Sequence, residues 1–183
     1  SVPDGLPLVW ILKRRGWRHV QKVTGIDFMP RVARSGLPTG LRHYFYGGAE
    51  GIARRAAEGL VRRVPGTIVA GASSPPFSDE VDWDLTSLRE DLERTRPDIL
   101  WVGLGAPKQE LWMHHVAGSL NVPIAVGVGA AFDFLAGSKR AAPRFLSAIG
   151  LEWLYRLLSE PRRLWKRYMV GNPRFVYLLV AER

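Results

Sequence analysis

Three glycine-rich segments are places where a backbone could come close to a phosphate: Gly47-Gly48-Ala49-Glu50-Gly51, Gly103-Leu104-Gly105-Ala106-Pro107-Lys108-Gln109-Glu110, and Gly127-Val128-Gly129-Ala130-Ala131-Phe132-Asp133. Glycine has no Cβ to hold an anion away, and it accepts the left-handed turns that aim successive N–H groups at one point. Glycine after a strand is also ordinary turn chemistry, so no single loop is diagnostic. None is a Walker loop, and the Gly-x-Gly-x-x-Gly spacing of dinucleotide sites is absent. The signal lies in their number and in their positions at the ends of successive strands.

The side chains in and near these loops suit a phosphorylated, hydroxyl-rich ligand. Asp133 sits between Phe132 and Phe134, and a carboxylate in an apolar stretch must find partners. A helix cap, a backbone tie, or recognition of a ribose or sugar hydroxyl would each supply them. Gln109 both donates and accepts, as a base or sugar would require, while Lys108 is either an anion ligand or simply solvated. Asp4-Gly5 is a carboxylate in a glycine-relaxed turn, which on its residues alone reads as a loop cap. The histidines suggest no metal centre. His114 and His115 are adjacent and are expected to point different ways, and His19 and His43 have no acidic neighbour in sequence. Asp82 and Asp84 flank Trp83 at an expected helix start, where capping explains them. Chemistry without a metal or cofactor is expected.

The elements that must position these residues follow from the hydrophobic pattern. His43–Tyr46, Thr67–Gly71, Asp98–Gly103 and Pro123–Gly129 read as strands, separated by helical stretches over Ala49–Arg63, Asp84–Thr95 (capped near Asp82 or Asp84) and Pro107–Ala117. Pro107 suits a first helical position. Continuously apolar strands alternating with helices predict a parallel sheet covered on both faces. The expected fold is α/β, a Rossmann-like parallel sheet with helices on both faces, over residues 1–143. Residues 144–183 form a C-terminal helical appendage, helical over Pro143–Glu160 and Arg162–Val170, with breaks at Pro161 and Gly171-Asn172-Pro173.

Composition narrows the partners. At 183 residues, 46% hydrophobic and 23% charged, the chain is one folded domain rather than a disordered tail. It has no cysteine, which excludes thiolate chemistry and disulfides and fits a reducing compartment. The net charge is +9, and from Lys139 to Arg183 ten basic residues face three acidic ones. Nucleic acid, anionic lipid and phosphorylated substrate all suit such a charge. In the tail, Leu151, Leu154, Tyr155, Leu158, Leu164, Trp165, Tyr168 and Met169 form apolar stripes beside Arg156, Arg162, Arg163, Lys166 and Arg167. That is the pattern of a helix lying in a headgroup layer, or of a core helix with a solvated basic face. Arginines also clamp diphosphates. No apolar run approaches the roughly 18 residues of a spanning helix, and Leu6–Leu12, broken by Pro7, does not read as a signal peptide.

These residues carry a resemblance. Gly103-Leu-Gly-Ala-Pro-Lys-Gln-Glu110, Gly127-Val-Gly-Ala-Ala-Phe-Asp133, Leu135-Ala-Gly137 and Arg140-Ala-Ala-Pro143 resemble the WecG/TagA/CpsF glycosyltransferase family. So do Gly150-Leu-Glu-Trp-Leu-Tyr-Arg-Leu-Leu158, Glu160-Pro-Arg-Arg-Leu-Trp165, Gly171-Asn-Pro173, Val23-Thr-Gly-Ile-Asp27 and Pro3-Asp-Gly5. The resemblance implies an inverting, metal-independent enzyme that moves N-acetylmannosamine or a relative from a UDP-sugar to a polyprenyl-diphosphate-linked saccharide. Such enzymes serve teichoic acid, common antigen or capsular polysaccharide synthesis, at the cytoplasmic face of the plasma membrane. It implies that Asp4 is the general base and that Gln109, Asp133 and Lys22 belong to the nucleotide-sugar pocket. Gly47, Gly48, Gly103, Gly105, Lys108, Gly127 and Gly129 are assigned to substrate binding with them, and Arg156, Arg162, Arg163 and Arg167 likewise. The tail is expected to pack over the active site and hold the anionic membrane surface, and the family precedent allows a homo-oligomer. Family members carry further chain before the Pro-Asp-Gly motif, so part of the pocket wall is expected to be missing here.

Two other functions fit the residues. A non-catalytic UDP-sugar-binding or scaffold protein would use the same loops without turnover. A nucleic-acid-binding domain would explain the charge, but the basic residues gather in one apolar-striped tail and no RNA-binding motif is present. Nucleic acid is therefore not an expected partner.

Overall fold

The computed structural model describes residues 6–75, 85–143, 146, 151–166, 171 and 177. Four short aromatic and aliphatic segments form the strands: β1 (Arg42–Gly47), β2 (Ile68–Ser73), β3 (Ile99–Gly103) and β4 (Ile124–Gly127). They pair in parallel in the order β2-β1-β3-β4. Parallel neighbours need long crossovers. These contain α3 (Ile52–Arg63) between β1 and β2, α4 (Thr86–Thr95) between β2 and β3, and α5 (Lys108–His115) between β3 and β4. Helix α2 (Gly25–Gly36) precedes the sheet and α6 (Ala131–Leu135) follows it. This is the expected α/β, Rossmann-like architecture.

The period-2 alternation of strand side chains divides the core in two. Phe45, Ile99 and Trp101 point into a layer with Met29 and Ala33 of α2, Ala56 and Leu60 of α3, and Phe132 and Leu135 of α6. Tyr44, Tyr46, Leu100 and Val102 point the other way, against Leu88 and Leu92 of α4 and Trp112 of α5. Both faces of the central strands are therefore covered.

The differences from the sequence reading have local causes. Helix α3 begins at Ile52 rather than Ala49, because Gly51 takes a left-handed conformation (φ 73°) at its N-cap. Pro107 is the N-cap of α5 rather than its first residue, and α5 ends at His115, before a short 3₁₀ turn over Ala117–Ser119. Strand β4 stops at Gly127. Helix α2 was not anticipated: its borders are glycines and Pro30 lies inside it, signals that argue against a helix. Asp82 and Asp84, named as caps, lie outside the described residues.

Contacts divide the chain into two units. One contains residues 19–140, and the other gathers residues 5–18 with 141–183. The sequence boundary at 143/144 had left residues 5–18 with the sheet. The second unit holds α1 (Leu6–Arg14), α7 (Glu152–Ser159) and α8 (Pro161–Lys166). Pro161, read as a break, is also the first residue of α8.

Two consequences are measurable. Gly59 lies so close to α6 that a β-carbon there would overlap the Leu135 carbonyl. Alanine gains about 1 kcal/mol of helix propensity over glycine, but overpacking costs typically about 1–3 kcal/mol. Gly59→Ala is therefore expected to lower the urea midpoint of unfolding; a raised midpoint would refute the close α3–α6 contact.

His43 is buried, and its Nδ1 accepts a hydrogen bond from Trp101 Nε1 at 3.0 Å. Burial pushes the imidazole below its usual 6.5, against a smaller opposing pull from Asp98. The unfolded chain thus binds a proton at a higher pH than the fold does. This contribution to stability is complete above about pH 6.5 and is lost as pH falls. Melting temperature is expected to drop between about pH 7 and pH 5, and to drop less in His43→Gln.

Candidate active site at the strand ends

From β1 the chain crosses to β2 on one side, while β3 lies on the other. Such a divergence opens a crevice at the carboxyl ends of the two strands, where parallel sheets receive ligands. The residues there are glycines. Gly47, the last residue of β1, pairs with Gly103, the last of β3. A β-carbon on Gly47 would meet the Gly103 carbonyl carbon at 2.7 Å, and one on Gly103 would meet the Phe132 ring at 2.6 Å. The Gly48 N–H donates to the Gly103 carbonyl at 2.9 Å. These three glycines are required by contacts within the protein. Gly105 is different: φ is 77°, and nothing lies within 4 Å of where its β-carbon would be. Its backbone has open space beside it.

The three loops are tied together. The Gly105 carbonyl accepts from the Gln109 N–H at 2.7 Å, opening α5. Gln109 Oε1 then accepts the Gly129 N–H at 2.8 Å, and its amide nitrogen occupies the place of a Gly127 β-carbon. Gly129 (φ 51°) precedes α6. Ser74 Oγ donates to the carbonyls of Gly47 and Ala49 at 3.2 and 3.1 Å, fastening the end of β2 to the first loop. Gln109, read as a ligand-facing amide, thus has its oxygen engaged in joining the second loop to the third.

Asp133 lies in the first turn of α6, with Lys139 Nζ 3.0 Å from its Oδ2 and Ser138 Oγ 3.0 Å from its carbonyl. Both ionic side chains are about 30% exposed. A pair this accessible contributes at most about 1 kcal/mol, so a ligand hydroxyl could displace it at little cost. Lys22 and Lys108 are partly buried and partnered. Lys108 is the first residue of α5.

Sequence reasoning missed two site residues as such. Thr24 is buried, and its hydroxyl donates to Asp27 Oδ2 at 2.6 Å across the start of α2. A β-carbon on the intervening Gly25 would lie 3.1 Å from Ala131 Cβ and 3.2 Å from the Val128 carbonyl. Val23-Thr-Gly-Ile-Asp27 therefore abuts the third loop at Gly25, and the Asp27 carboxylate, oriented by Thr24, is exposed. The signal was the Thr-x-x-Asp spacing inside a motif already singled out.

On the β2 side, a small cavity of about 90 Å³ lies among Tyr46, Ser73, Ser74 and Asp91. The Tyr44 hydroxyl donates to Asp91 Oδ2 at 2.9 Å. Burial pushes that phenol up to about 12, and the Arg94 guanidinium holds the Asp91 carboxyl below its usual range. Tyr44 stays protonated and Asp91 charged at neutral pH. A larger cavity of about 540 Å³, between Phe28, Val32 and Leu41, is an apolar groove along α2.

Asp4 and Arg167 lie outside the described residues, as does the side chain of Arg163. Arg156 and Arg162 belong to the second unit. There Arg156 pairs with Glu152 at 2.6 Å, and Arg162 is exposed. His114 and His115 do not diverge; their rings are in edge contact at 4.8 Å.

A doubly wound sheet with tied glycine loops at its divergence point defines an α/β protein of the Rossmann-like kind. The sequence matches the profile of the glycosyl transferase WecG/TagA/CpsF family over residues 1–183, and the chain belongs to that family. It is similar to the N-acetylglucosaminyldiphosphoundecaprenol N-acetyl-beta-D-mannosaminyltransferase of Bacillus spizizenii, with 31% identity over 96% of this chain and 65% of that one. The enzymes of the same name from Bacillus subtilis (26% identity; 99% of this chain, 68% of that one) and Staphylococcus aureus (24%; 100% and 69%) are also similar. The chain thus spans about two thirds of the length of the curated relatives it matches.

The loop tie is open to a direct test. Gln109→Leu removes the nearer acceptor of the Gly129 N–H, which also reaches the Val102 carbonyl at 3.4 Å. Hydrogen exchange at that amide is expected to speed up by about tenfold, with a loss of roughly 1 kcal/mol in stability. Unchanged exchange would show that Gln109 does not hold the loop.

Proposed function

We propose that this chain carries the catalytic domain of an inverting glycosyltransferase. It would move N-acetylmannosamine or a related sugar from a UDP-sugar to a polyprenyl-diphosphate-linked saccharide, in teichoic acid or other cell-surface polysaccharide synthesis. The observation that carries the reading is the set of glycine loops at the β1–β3 divergence, in a chain whose relatives bear the names given above. The names supply the acceptor class and the sugar; the UDP carrier and the absence of a metal rest on the family resemblance.

In this reading the donor diphosphate lies along the loops at Gly48, Gly105 and Gly129, with Lys22 and Lys108 balancing its charge. Asp133 exchanges its Lys139 contact for a hydroxyl of the ribose or sugar, while Gln109 holds the loops around the nucleotide. An acceptor hydroxyl attacks the anomeric carbon, the bond to the diphosphate oxygen breaks, and UDP leaves. The proton of that hydroxyl passes to Asp4, the general base. Arg156, Arg162, Arg163 and Arg167 bind the acceptor diphosphate, and the tail rests on the anionic inner face of the plasma membrane. In this reading the association is peripheral; no helix among the described residues is long and apolar enough to cross a membrane.

Asp4→Asn keeps the shape and removes the base. Turnover with a lipid-diphosphate acceptor is expected to fall by ~10² or more, while UDP affinity stays close to that of wild type. Transfer at the wild-type rate would show that Asp4 is structural. UDP binding with no turnover by the wild-type chain would favour a non-catalytic role.

A further inference from the structure

We propose that the segment from Leu8 to Arg18 is a second lipid-contacting edge, which seats the protein on an anionic bilayer together with the C-terminal tail. This rests on the membrane-surface reading above and adds to it a region that the charge distribution along the sequence did not point to.

Helix α1 buries Val9 but leaves Trp10 57% exposed. Trp10, Lys13 and Arg14 recur at i, i+3 and i+4 and so share one face. The helix is closed by a Schellman arrangement. The Trp17 N–H donates to the Leu12 carbonyl at 3.0 Å, and the Gly16 N–H to the Lys13 carbonyl at 3.1 Å, with Gly16 at φ 98°. Such a cap often folds the residue after the glycine back onto the helix, yet Trp17 remains 66% exposed. Two tryptophans held in water therefore bracket a run of exposed cations, Lys13, Arg14 and, just beyond, Arg18. No acidic residue occurs from Gly5 to Ile26.

Exposed tryptophan costs free energy in water and gains it at a headgroup boundary, where an apolar ring with one N–H is half solvated. Lysine and arginine beside it complement anionic lipid. The same unit of the fold contains the tail, with Leu158, Trp165 and Tyr177 exposed, so both ends of the chain contribute aromatic and basic surface to it.

The test is co-sedimentation of the chain with phosphatidylcholine vesicles, with and without phosphatidylglycerol, which needs no sugar transfer. Wild type is expected to bind only the anionic vesicles. Neutralising Lys13, Arg14 and Arg18 to glutamine should weaken binding by about fivefold per charge, given about 1 kcal/mol for each basic residue near the surface. The pair Trp10→Ser and Trp17→Ser should weaken it by about tenfold with the tail intact. Both sets alter exposed side chains, so circular dichroism should be unchanged. Anionic binding that persists in both sets overturns this inference and leaves the tail as sole anchor. Failure of wild type to bind anionic vesicles overturns the membrane reading as well. Competition of vesicle binding by single-stranded RNA at lower concentration would overturn it too, assigning the surface to nucleic acid instead.

Discussion

The backbones of β1 and β3 are pressed together at their carboxyl ends, and the rest of the site depends on that contact. Gly47 and Gly103 pair there with no space for a side chain on either, and Gly48 donates to the Gly103 carbonyl. Any β-carbon at these positions would push the strands apart or strike Phe132, whose ring anchors α6 in the core. From this point one chain segment turns toward α3 on one face of the sheet and the other toward α5 on the opposite face. Where neighbouring strands of a parallel sheet stay in contact while their connections separate, such sheets receive their ligands. Glycine is thus demanded twice at this end of the sheet: by the contact at 47 and 103, and by the left-handed backbone (φ 77°) at 105.

Around the crevice, the polar groups are held before any ligand arrives. Gln109 bridges two loops, Ser74 ties the third, Thr24 orients Asp27, and Lys139 holds Asp133. Interactions fixed in advance cost no reorganisation when a charged ligand enters. The ties also differ in strength in a useful way. The Gln109 bond satisfies a backbone N–H and costs about 1 kcal/mol or more to break. The accessible Lys139–Asp133 pair is worth less than that. A ligand entering here would displace the ion pair and leave the loop scaffold intact.

The sheet was legible because its signal is dense. Four apolar runs, three of them followed by glycine-rich turns and then by helix-forming residues, allow little besides a parallel sheet, and the strand bounds fall within a few residues of those expected. Helix α2 was not legible, because Gly25, Pro30 and Gly36 are breakers by local rule and tertiary burial of Met29 and Ala33 overrides them. The loops were correctly located, but individual roles inside them were not. Nothing in the spacing says that Gln109 answers to Gly129, or that the partner of His43 is Trp101, on a different strand. Such pairings arise from the strand order β2-β1-β3-β4, which periodicity does not encode.

The division of labour between the two units follows from the substrates proposed. A nucleotide sugar dissolves and diffuses, so a rigid crevice with modest affinity is enough to collect it. A polyprenyl diphosphate stays in its bilayer, so the protein must come to it and remain while the reaction runs. The sheet is poorly suited to that task, since its two cores lie beneath covering helices. The large aromatic side chains that remain in water among the described residues, Trp10, Trp17, Trp153, Trp165 and Tyr177, belong instead to the other unit, beside a large share of the basic residues. An exposed tryptophan among cations adds little to the stability of an aqueous fold. In the function proposed here, that distribution suits the second unit to an interface with lipid and the first to a ligand in water.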